Sequence, residues 1–213
     1  MIFGGGPSLT MDQVEKVREA HQRGRCRGIA INDAYLVAPW ADVLYAADRL
    51  WWLAHAAGVA KPLLGLSADQ ARERFSAFPG ERCSIQGTGK NADEPIHLLR
   101  NRDHPCYSVG LSLDPGALVT GRHGGWQALN LAVLAGAKVG ILLGIDGRPS
   151  PEGKTHWHGG HARATPAASY GQYRQAWSAG EDALKAAGVS VLNASPGSAI
   201  ESFPKVNLAE ALA

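Results

Sequence analysis

Three closely spaced histidines are the most chemically capable side chains of this chain. His156, His158 and His161 lie in the stretch His-Trp-His-Gly-Gly-His. An imidazole titrates near neutral pH, so a histidine can exchange a proton during a reaction or bind a substrate. In an extended loop His156 and His158 would share one face and could chelate a metal ion. The sequence leaves three roles open: catalysis or substrate binding, metal binding, and a polar surface loop.

The surroundings of these histidines favour the roles that need no metal. Gly159 and Gly160 disfavour a helix, and no cysteine or adjacent carboxylate completes a ligand set. Asp146 or Glu152 would have to be recruited from outside the histidine stretch. Metal binding is therefore the least favoured of the three roles, and all three stay open.

A glycine turn near the start of the chain is the second feature with chemical potential. Gly5, Gly6, Pro7 and Ser8 follow a short apolar run and precede a helical pattern. Glycine lets a ligand approach the backbone, and the amides of such a turn, with the N-terminus of the next helix, attract anions. The alternative is a tight structural turn with a hydroxyl side chain capping the helix. We expect the turn to hold the phosphate or sugar part of a nucleotide.

Polar residues follow the next two apolar runs. Asn32 and Asp33 come directly after residues 28–31, and Asp48 comes shortly after residues 42–46. The carboxyl ends of parallel strands meet at one edge of a sheet, where α/β proteins bind their ligands. Asn and Asp also favour turns for conformational reasons alone. We expect Asn32 and Asp33 to contact a ligand, and Asp48 is a candidate catalytic carboxylate.

The elements that must position these residues alternate short apolar runs with amphipathic stretches. This order predicts an α/β fold, a Rossmann-like parallel sheet flanked by helices, as a single domain over residues 1–213 with an irregular insertion at 78–120. The predicted strands are 1–3, 28–31, 42–46, 62–66, 138–143 and 189–192, and the predicted helices are 11–22, 50–57, 126–135 and 166–187. Residues 147–165 form a loop longer than most connections, which suggests a functional role.

Composition narrows the class of protein. The 213 residues carry 21 basic and 19 acidic side chains, a balance that does not indicate a nucleic-acid surface. The three cysteines, Cys26, Cys83 and Cys106, have no CxxC spacing and predict reduced thiols rather than a disulfide framework. No apolar run is long enough for a membrane helix, and no signal peptide is visible. The expected location is the cytoplasm, and a homo-oligomer is left open.

Three stretches together resemble a known superfamily. They are Gly4-Gly5-Gly6-Pro7-Ser8-Leu9, then Asn32 at the end of the second predicted strand, and then Gly124-Gly125 followed by Leu143-Gly144-Ile145-Asp146. In this order they resemble the bacterial CMP-sialic-acid-dependent sialyltransferases. They are more loosely similar to motility-accessory-factor glycosyltransferases, to archaeal 6-hydroxymethylpterin diphosphokinase-like proteins and to small phage-encoded proteins.

The resemblance implies which residues bind and which react. Gly5, Gly6, Ser8 and Asn32 would contact a nucleotide, Gly124 and Gly125 would line its other side, and Asp146 would lie at the same strand edge. These sialyltransferases take the proton of the acceptor hydroxyl with a loop histidine, for which His156 and His161 are the candidates here. His123 stands where the family has a hydroxyl residue, so the donor is expected to be a CMP-, UDP- or GDP-linked compound without a choice among them.

Three functions follow as competing hypotheses. The first is a nucleotide-sugar-dependent glycosyltransferase acting on a small-molecule donor and an unidentified acceptor. The second is a pyrophosphokinase, which would need Mg²⁺ with Asp33, Asp48 and Asp146 as candidate ligands. The third is a nucleotide-binding protein without catalysis.

Overall fold

A parallel β-sheet forms the centre of the protein. The computed structural model describes residues 1–58, 65–86, 96–101, 109–159 and 165–213. In chain order the strands are β1 (Ile2–Phe3), β2 (Ile29–Ile31), β3 (Val43–Tyr45), β4 (Glu81–Ser84), β5 (His97–Leu98), β6 (Arg100–Asn101), β7 (Ala117–Leu118), β8 (Val139–Leu143) and β9 (Ser190–Asn193). Within the described residues the main sheet has seven strands in the order β5-β4-β3-β2-β1-β8-β9, all parallel. Strands β6 and β7 form a separate parallel pair.

Helices cover this sheet. They are α1 (Met11–Gln22), α2 (Arg49–Ala56), α3 (Ala68–Ser76), α4 (Gly124–Leu134), α5 (Ala167–Ala186) and α6 (Leu208–Leu212), with a 3₁₀ helix at Asn32–Leu36. The strands need cover on both faces because they are apolar on both faces, as parallel sheets usually are. Neighbouring residues of β1 illustrate this, since Phe3 packs with Val14 and Trp52 on one face while Ile2 packs with Trp126 on the other.

The direction of the chain reverses beside β1. From β1 the chain builds outward through β2, β3, β4 and β5, and it then returns to place β8 on the opposite side of β1. Ile2 is in register with Ile29 of β2 and with Leu142 of β8. Strands β1 and β8 therefore define the topological switch point, where their carboxyl ends leave a crevice between diverging connections.

Helix α1 begins directly after the glycine turn, because Thr10 caps it. The Thr10 hydroxyl accepts from Gln13 N at 3.2 Å, and the Gln13 side chain accepts from Thr10 N at 3.0 Å. This reciprocal capping box fixes the entry angle of α1. Val14 and Val17 are buried on the face toward the sheet, so the glycine turn is held between a strand and a packed helix.

Some predicted elements differ from the observed ones. The strand predicted at 62–66 lies partly outside the described residues, and Gly65 and Leu66 are not in a strand. Helices α3 and α6 were not predicted, although Ser67 and Gln70 form a capping box at the start of α3. Within the predicted insertion, 78–120, the sequence indicated brief β-like runs at 83–85 and 95–99; strands β4 and β5 lie there, and they belong to the main sheet. Among the described helices, none has both the length and the apolar character needed to cross a bilayer.

Candidate functional site

A cavity of about 170 Å³ lies at the switch point of the sheet. Its wall is formed by the ends of β1, β2 and β8, the N-terminus of α4 and the N-terminal half of α5. The loop that carries His156 and His158, called the histidine loop below, completes it. Its lining includes Gly4, Gly5, Gly6, Asn32, Asp33, His123, Gly124, Gly125, Asp146, Arg148, His156, His158, Tyr170, Tyr173 and Trp177. Most of the predicted site residues are therefore brought together, although they come from distant parts of the chain.

The glycine turn is attached to the end of β8. Gly4 N donates to Leu143 O and Gly6 N donates to Gly144 O, both at 2.8 Å. A Cβ at Gly6 would overlap the Asp146 carboxylate, so the close approach of the two segments requires glycine.

Those contacts change how the turn could bind a ligand. The N–H groups of Gly4, Gly6 and Ser8 all donate to residues at the end of β8. Ser8 N donates to Asp146 Oδ2 at 3.3 Å. Pro7 has no N–H, and neither Pro7 nor Ser8 lines the cavity. Within the described residues, Gly5 is the residue of this turn whose N–H has no partner in the protein. The turn thus offers one amide donor to the cavity rather than the several expected.

Asn32 has an unusual backbone conformation at the rim of the cavity. Its φ is 50°, in the left-handed region that side chains other than glycine rarely adopt. Asparagine tolerates this region better than most residues, and such strain is concentrated at functional sites. The Asn32 side chain is exposed, so its amide can both donate to and accept from a ligand.

Asp33 lies at the centre of a buried hydrogen-bond network. Its Oδ1 accepts from Trp51 Nε1 at 2.8 Å and lies 3.2 Å from His55 Nε2, and its Oδ2 lies 3.3 Å from His158 Nε2. Tyr35 Oη lies 2.8 Å from His55 Nδ1 and extends the hydrogen-bond network. Burial by itself would raise the pKa of Asp33. The hydrogen bonds from His158, His55 and Trp51 outweigh burial and hold that pKa far below its ordinary range.

The histidine loop folds over the glycine turn. Trp157 N donates to Gly5 O at 3.1 Å, and this bond places His156 and His158 on the same side of the cavity. Their rings are 5.6 Å apart and inclined by 30°. His156 Nδ1 lies 2.9 Å from the Thr155 hydroxyl. His161, the other predicted catalytic candidate, lies outside the described residues.

The N-terminus of α4 forms the opposite wall. Gly124 and Gly125 line the cavity, and His123 Nδ1 accepts from Gly125 N at 3.1 Å as the cap. Burial lowers the pKa of His123 to about 3, so its ring is neutral and its one hydrogen is on Nε2. In the described part of the chain, His123 Nε2 and Trp177 Nε1 are both buried without a hydrogen-bond partner. Burying such a donor without a partner costs about 1–3 kcal/mol.

Asp146 lies between the glycine turn and an arginine. Burial raises the pKa of the Asp146 carboxyl, and hydrogen bonding from Ser8 together with the charge of Arg148 opposes this rise only in part. Arg148 is exposed at the cavity rim. Tyr170 and Tyr173 of α5 also line the cavity, and burial raises the pKa of the Tyr170 hydroxyl.

Asp48 does not reach the cavity. Its Oδ1 accepts from Leu50 N at 2.8 Å and caps α2, and its side chain does not line the pocket. The carboxylate predicted to be catalytic is thus used to start a helix. No group of three His, Cys, Asp or Glu side chains with metal-ligand geometry occurs among the described residues, so Asp33, Asp48 and Asp146 do not form a joint Mg²⁺ site there.

Sequence reasoning missed the residues that hold Asp33. Tyr35, Trp51 and His55 were not among the predicted site residues. A signal did exist, because an aspartate directly after a buried strand needs donors, and His55 and Trp51 are four residues apart on one helix.

Fold and site together define a class: a parallel α/β protein with a cavity at the carboxyl ends of its switch-point strands. Comparisons of the chain with protein-family models, with curated proteins and with solved structures gave no match. The resemblance to sialyltransferases therefore remains a prediction from the sequence.

Proposed function

We propose that the protein is a transferase that uses an activated nucleotide donor, of the nucleotide-sugar-dependent glycosyltransferase type. One observation carries the proposal: Gly5, Asn32, Gly124 and His156 line a single cavity at the switch point of a parallel sheet. Cavities at this position are the usual ligand sites of doubly wound α/β proteins.

The binding groups suit a phosphate-linked donor. The Gly5 N–H and the N-terminus of α4, which has no acidic residue in its first turn, supply donors and partial positive charge. Arg148 adds a full charge at the rim. The Asn32 amide matches the mixed donors and acceptors of a ribose or a base.

The chemistry is the displacement of a nucleotide by an acceptor hydroxyl. A loop histidine takes the hydroxyl proton while the acceptor oxygen forms a bond to the sugar. The bond between sugar and phosphate breaks, and the nucleotide leaves with the bonding electrons. Donors on the cavity wall stabilise the charge that develops on the departing phosphate.

Nucleotide binding is the first test. CMP, UDP, GDP and ATP are titrated by thermal shift and calorimetry, each with and without Mg²⁺, against the wild type and Gly5→Ala. A methyl group at Gly5 makes ordinary contact, 3.4 Å from the His156 ring, so the fold is retained while the cavity is narrowed. Gly171→Ala, whose Cβ meets no atom within 4 Å, is the matched control. We expect binding of CMP, UDP or GDP that Gly5→Ala weakens about tenfold and Gly171→Ala leaves unchanged.

Turnover is the second test. Release of free nucleotide from nucleotide sugars is followed with and without acceptor hydroxyl compounds. If ATP with Mg²⁺ stabilises the protein and the other nucleotides do not, the pyrophosphokinase hypothesis replaces this proposal. Binding without release from any donor would replace it with a nucleotide-binding protein, and the absence of any nucleotide binding would overturn it.

A further inference from the structure

Asp33 is bound to two histidines, and they differ in their relation to the cavity. His158 lines the cavity, whereas His55 does not. The side chains of Asp33, His55 and His158 are only 10%, 5% and 3% exposed. A network this deeply buried is rigid, because moving any of its polar groups away from its partner would raise the free energy of the protein.

The hydrogen bonds give the network a direction. With the Tyr35 hydroxyl donating to His55 Nδ1, the His55 hydrogen lies on Nε2 and points to Asp33. Both His55 nitrogens are then engaged by the protein, so His55 orients Asp33 and does not exchange protons with a ligand. Trp51 fixes the ring further, since it stacks on His55 at 4.0 Å and donates to the same carboxylate.

The orientation of Asp33 determines which ring nitrogen of His158 carries the hydrogen. Its Nε2 faces Asp33 Oδ2 at 3.3 Å, so the hydrogen of the neutral ring lies on Nε2 and the lone pair lies on Nδ1. Trp157 packs edge-on against the His158 ring at 4.7 Å and ties its backbone to Gly5. A carboxylate behind the imidazole also stabilises the imidazolium that forms after proton uptake.

His156 has a partner of a different kind at its Nδ1. Its Nδ1 pairs with the hydroxyl of the adjacent Thr155 rather than with an ionised carboxylate. A neutral hydroxyl stabilises a developing positive charge less than a carboxylate does.

We infer that His158 is the catalytic base of the cavity and that Asp33, His55 and Tyr35 are positioning residues that fix its tautomer. This inference rests on the proposed function for the identity of the reaction. In that reaction His158 Nδ1 takes the proton of the acceptor hydroxyl while Nε2–H stays bound to Asp33. The acceptor oxygen bonds to the donor, and the nucleotide leaves with the electrons of the broken bond.

The tautomer is tested without any turnover. Long-range ¹H–¹⁵N spectra of the ¹⁵N-histidine protein at pH 8 report which ring nitrogen carries hydrogen, and His158→Gln assigns the signal. We expect His158 with hydrogen on Nε2, and Asp33→Asn and Tyr35→Phe should shift the His158 and His55 signals respectively. A hydrogen on Nδ1 of His158 in the wild type would overturn the inference.

Kinetics separates this inference from the proposed function. His158→Gln should lower kcat about 100-fold or more with the nucleotide Kd and KM within threefold of wild type. Asp33→Asn should lower kcat about 100-fold through misorientation, and Tyr35→Phe about fivefold. His97→Gln is the matched control, because His97 also binds a carboxylate, Glu81 at 2.7 Å, but on the exposed surface. Its kcat should be unchanged.

The two proposals fail in different ways. If nucleotides bind and turn over while His158→Gln retains wild-type kcat, the inference fails and the proposed function stands. If no nucleotide binds, the proposed function fails, and the tautomer spectra alone decide whether Asp33 fixes His158. Unfolding of Asp33→Asn would leave the decision to His158→Gln and the wild-type spectrum.

Discussion

Ser8 and Asp146 are joined by a hydrogen bond of 3.3 Å across 138 positions of sequence. It ties the turn after β1 to the end of β8, on one side of the cavity. On the other side Asp33 is held by three N–H donors. The two buried aspartates are perturbed in opposite directions, since the pKa of Asp146 is raised and that of Asp33 is lowered.

Replacing each aspartate with asparagine should therefore change stability at pH 7 by different amounts. Asp33→Asn removes a charge that the network stabilises and leaves at least one N–H unpaired, so we expect a loss of about 2 kcal/mol. Asp146→Asn removes a buried charge that is only partly compensated, so stability should stay unchanged or rise by up to about 1 kcal/mol. Urea unfolding measures both, and equal losses would contradict the opposed pKa directions.

The contribution of Asp33 should also depend on pH. A carboxyl whose pKa is lower in the folded state stabilises the protein above its unfolded pKa, about 3.9, and this stabilisation is lost as pH falls. The difference in unfolding free energy between wild type and Asp33→Asn should therefore be constant from pH 5 to 7 and should shrink below about pH 4. A difference that stays constant to pH 3 would contradict this.

His123 should make the protein less stable in mild acid. Burial lowers its pKa to about 3 from the ordinary 6.5, so between these values the unfolded chain binds a proton that the folded chain does not. Stability should fall by about 1 kcal/mol for each pH unit below 6.5 through this residue alone. His123→Asn keeps a helix cap without a titrating group, and its stability should depend less steeply on pH. If the Tm of the wild type and of His123→Asn depend on pH equally steeply, the lowered pKa of His123 is refuted.

Gly180 should be essential to the packing of α5 on α4. A Cβ at Gly180 would overlap the indole ring of Trp126, which is fully buried. Gly180→Ala should cost about 1–3 kcal/mol by overpacking. Gly171→Ala in the same helix meets no atom within 4 Å and should gain about 0.5–1 kcal/mol. Thermal and urea unfolding of this matched pair separate packing from helix propensity.

Asn32 should be replaceable for folding but not for binding. Because its φ is 50°, Asn32→Gly should leave the unfolding free energy within about 0.5 kcal/mol of wild type, whereas Asn32→Ala should lose about 1 kcal/mol. Both variants lack the side-chain amide, so both should weaken nucleotide binding about equally. Wild-type affinity in Asn32→Gly, measured by calorimetry, would remove Asn32 from the site.

The parts of this fold that depend on local patterns were predictable. Helix α1 was predicted with its observed bounds, because Val14 and Val17 recur at helical spacing and the preceding glycines end the strand. The alignment of Asn32 with the glycine turn followed from parallel strands having their carboxyl ends at one edge. The parallel α/β architecture was predicted from the alternation of short apolar runs with amphipathic stretches, and it is confirmed.

The parts that depend on distant partners were not predictable. Nothing local to Asp33 indicates that His158, far along the chain, would bind it. Asp48 has the residue type of a catalytic group, but a short-range bond to Leu50 N determines its role. The turn amides were expected to face a ligand, and only the position of β8 shows that Gly4 and Gly6 bind Leu143 and Gly144 instead.

The place of β1 in the sheet has a consequence for biosynthesis. Because β1 pairs with β2 on one side and with β8 on the other, the growing polypeptide leaves one edge of β1 unpaired until β8 has emerged from the ribosome. Non-local parallel pairings form slowly and leave strand edges open to association. Nascent chains that stop before β8 should therefore be targets for chaperones and proteases, and the cavity should appear only late in translation.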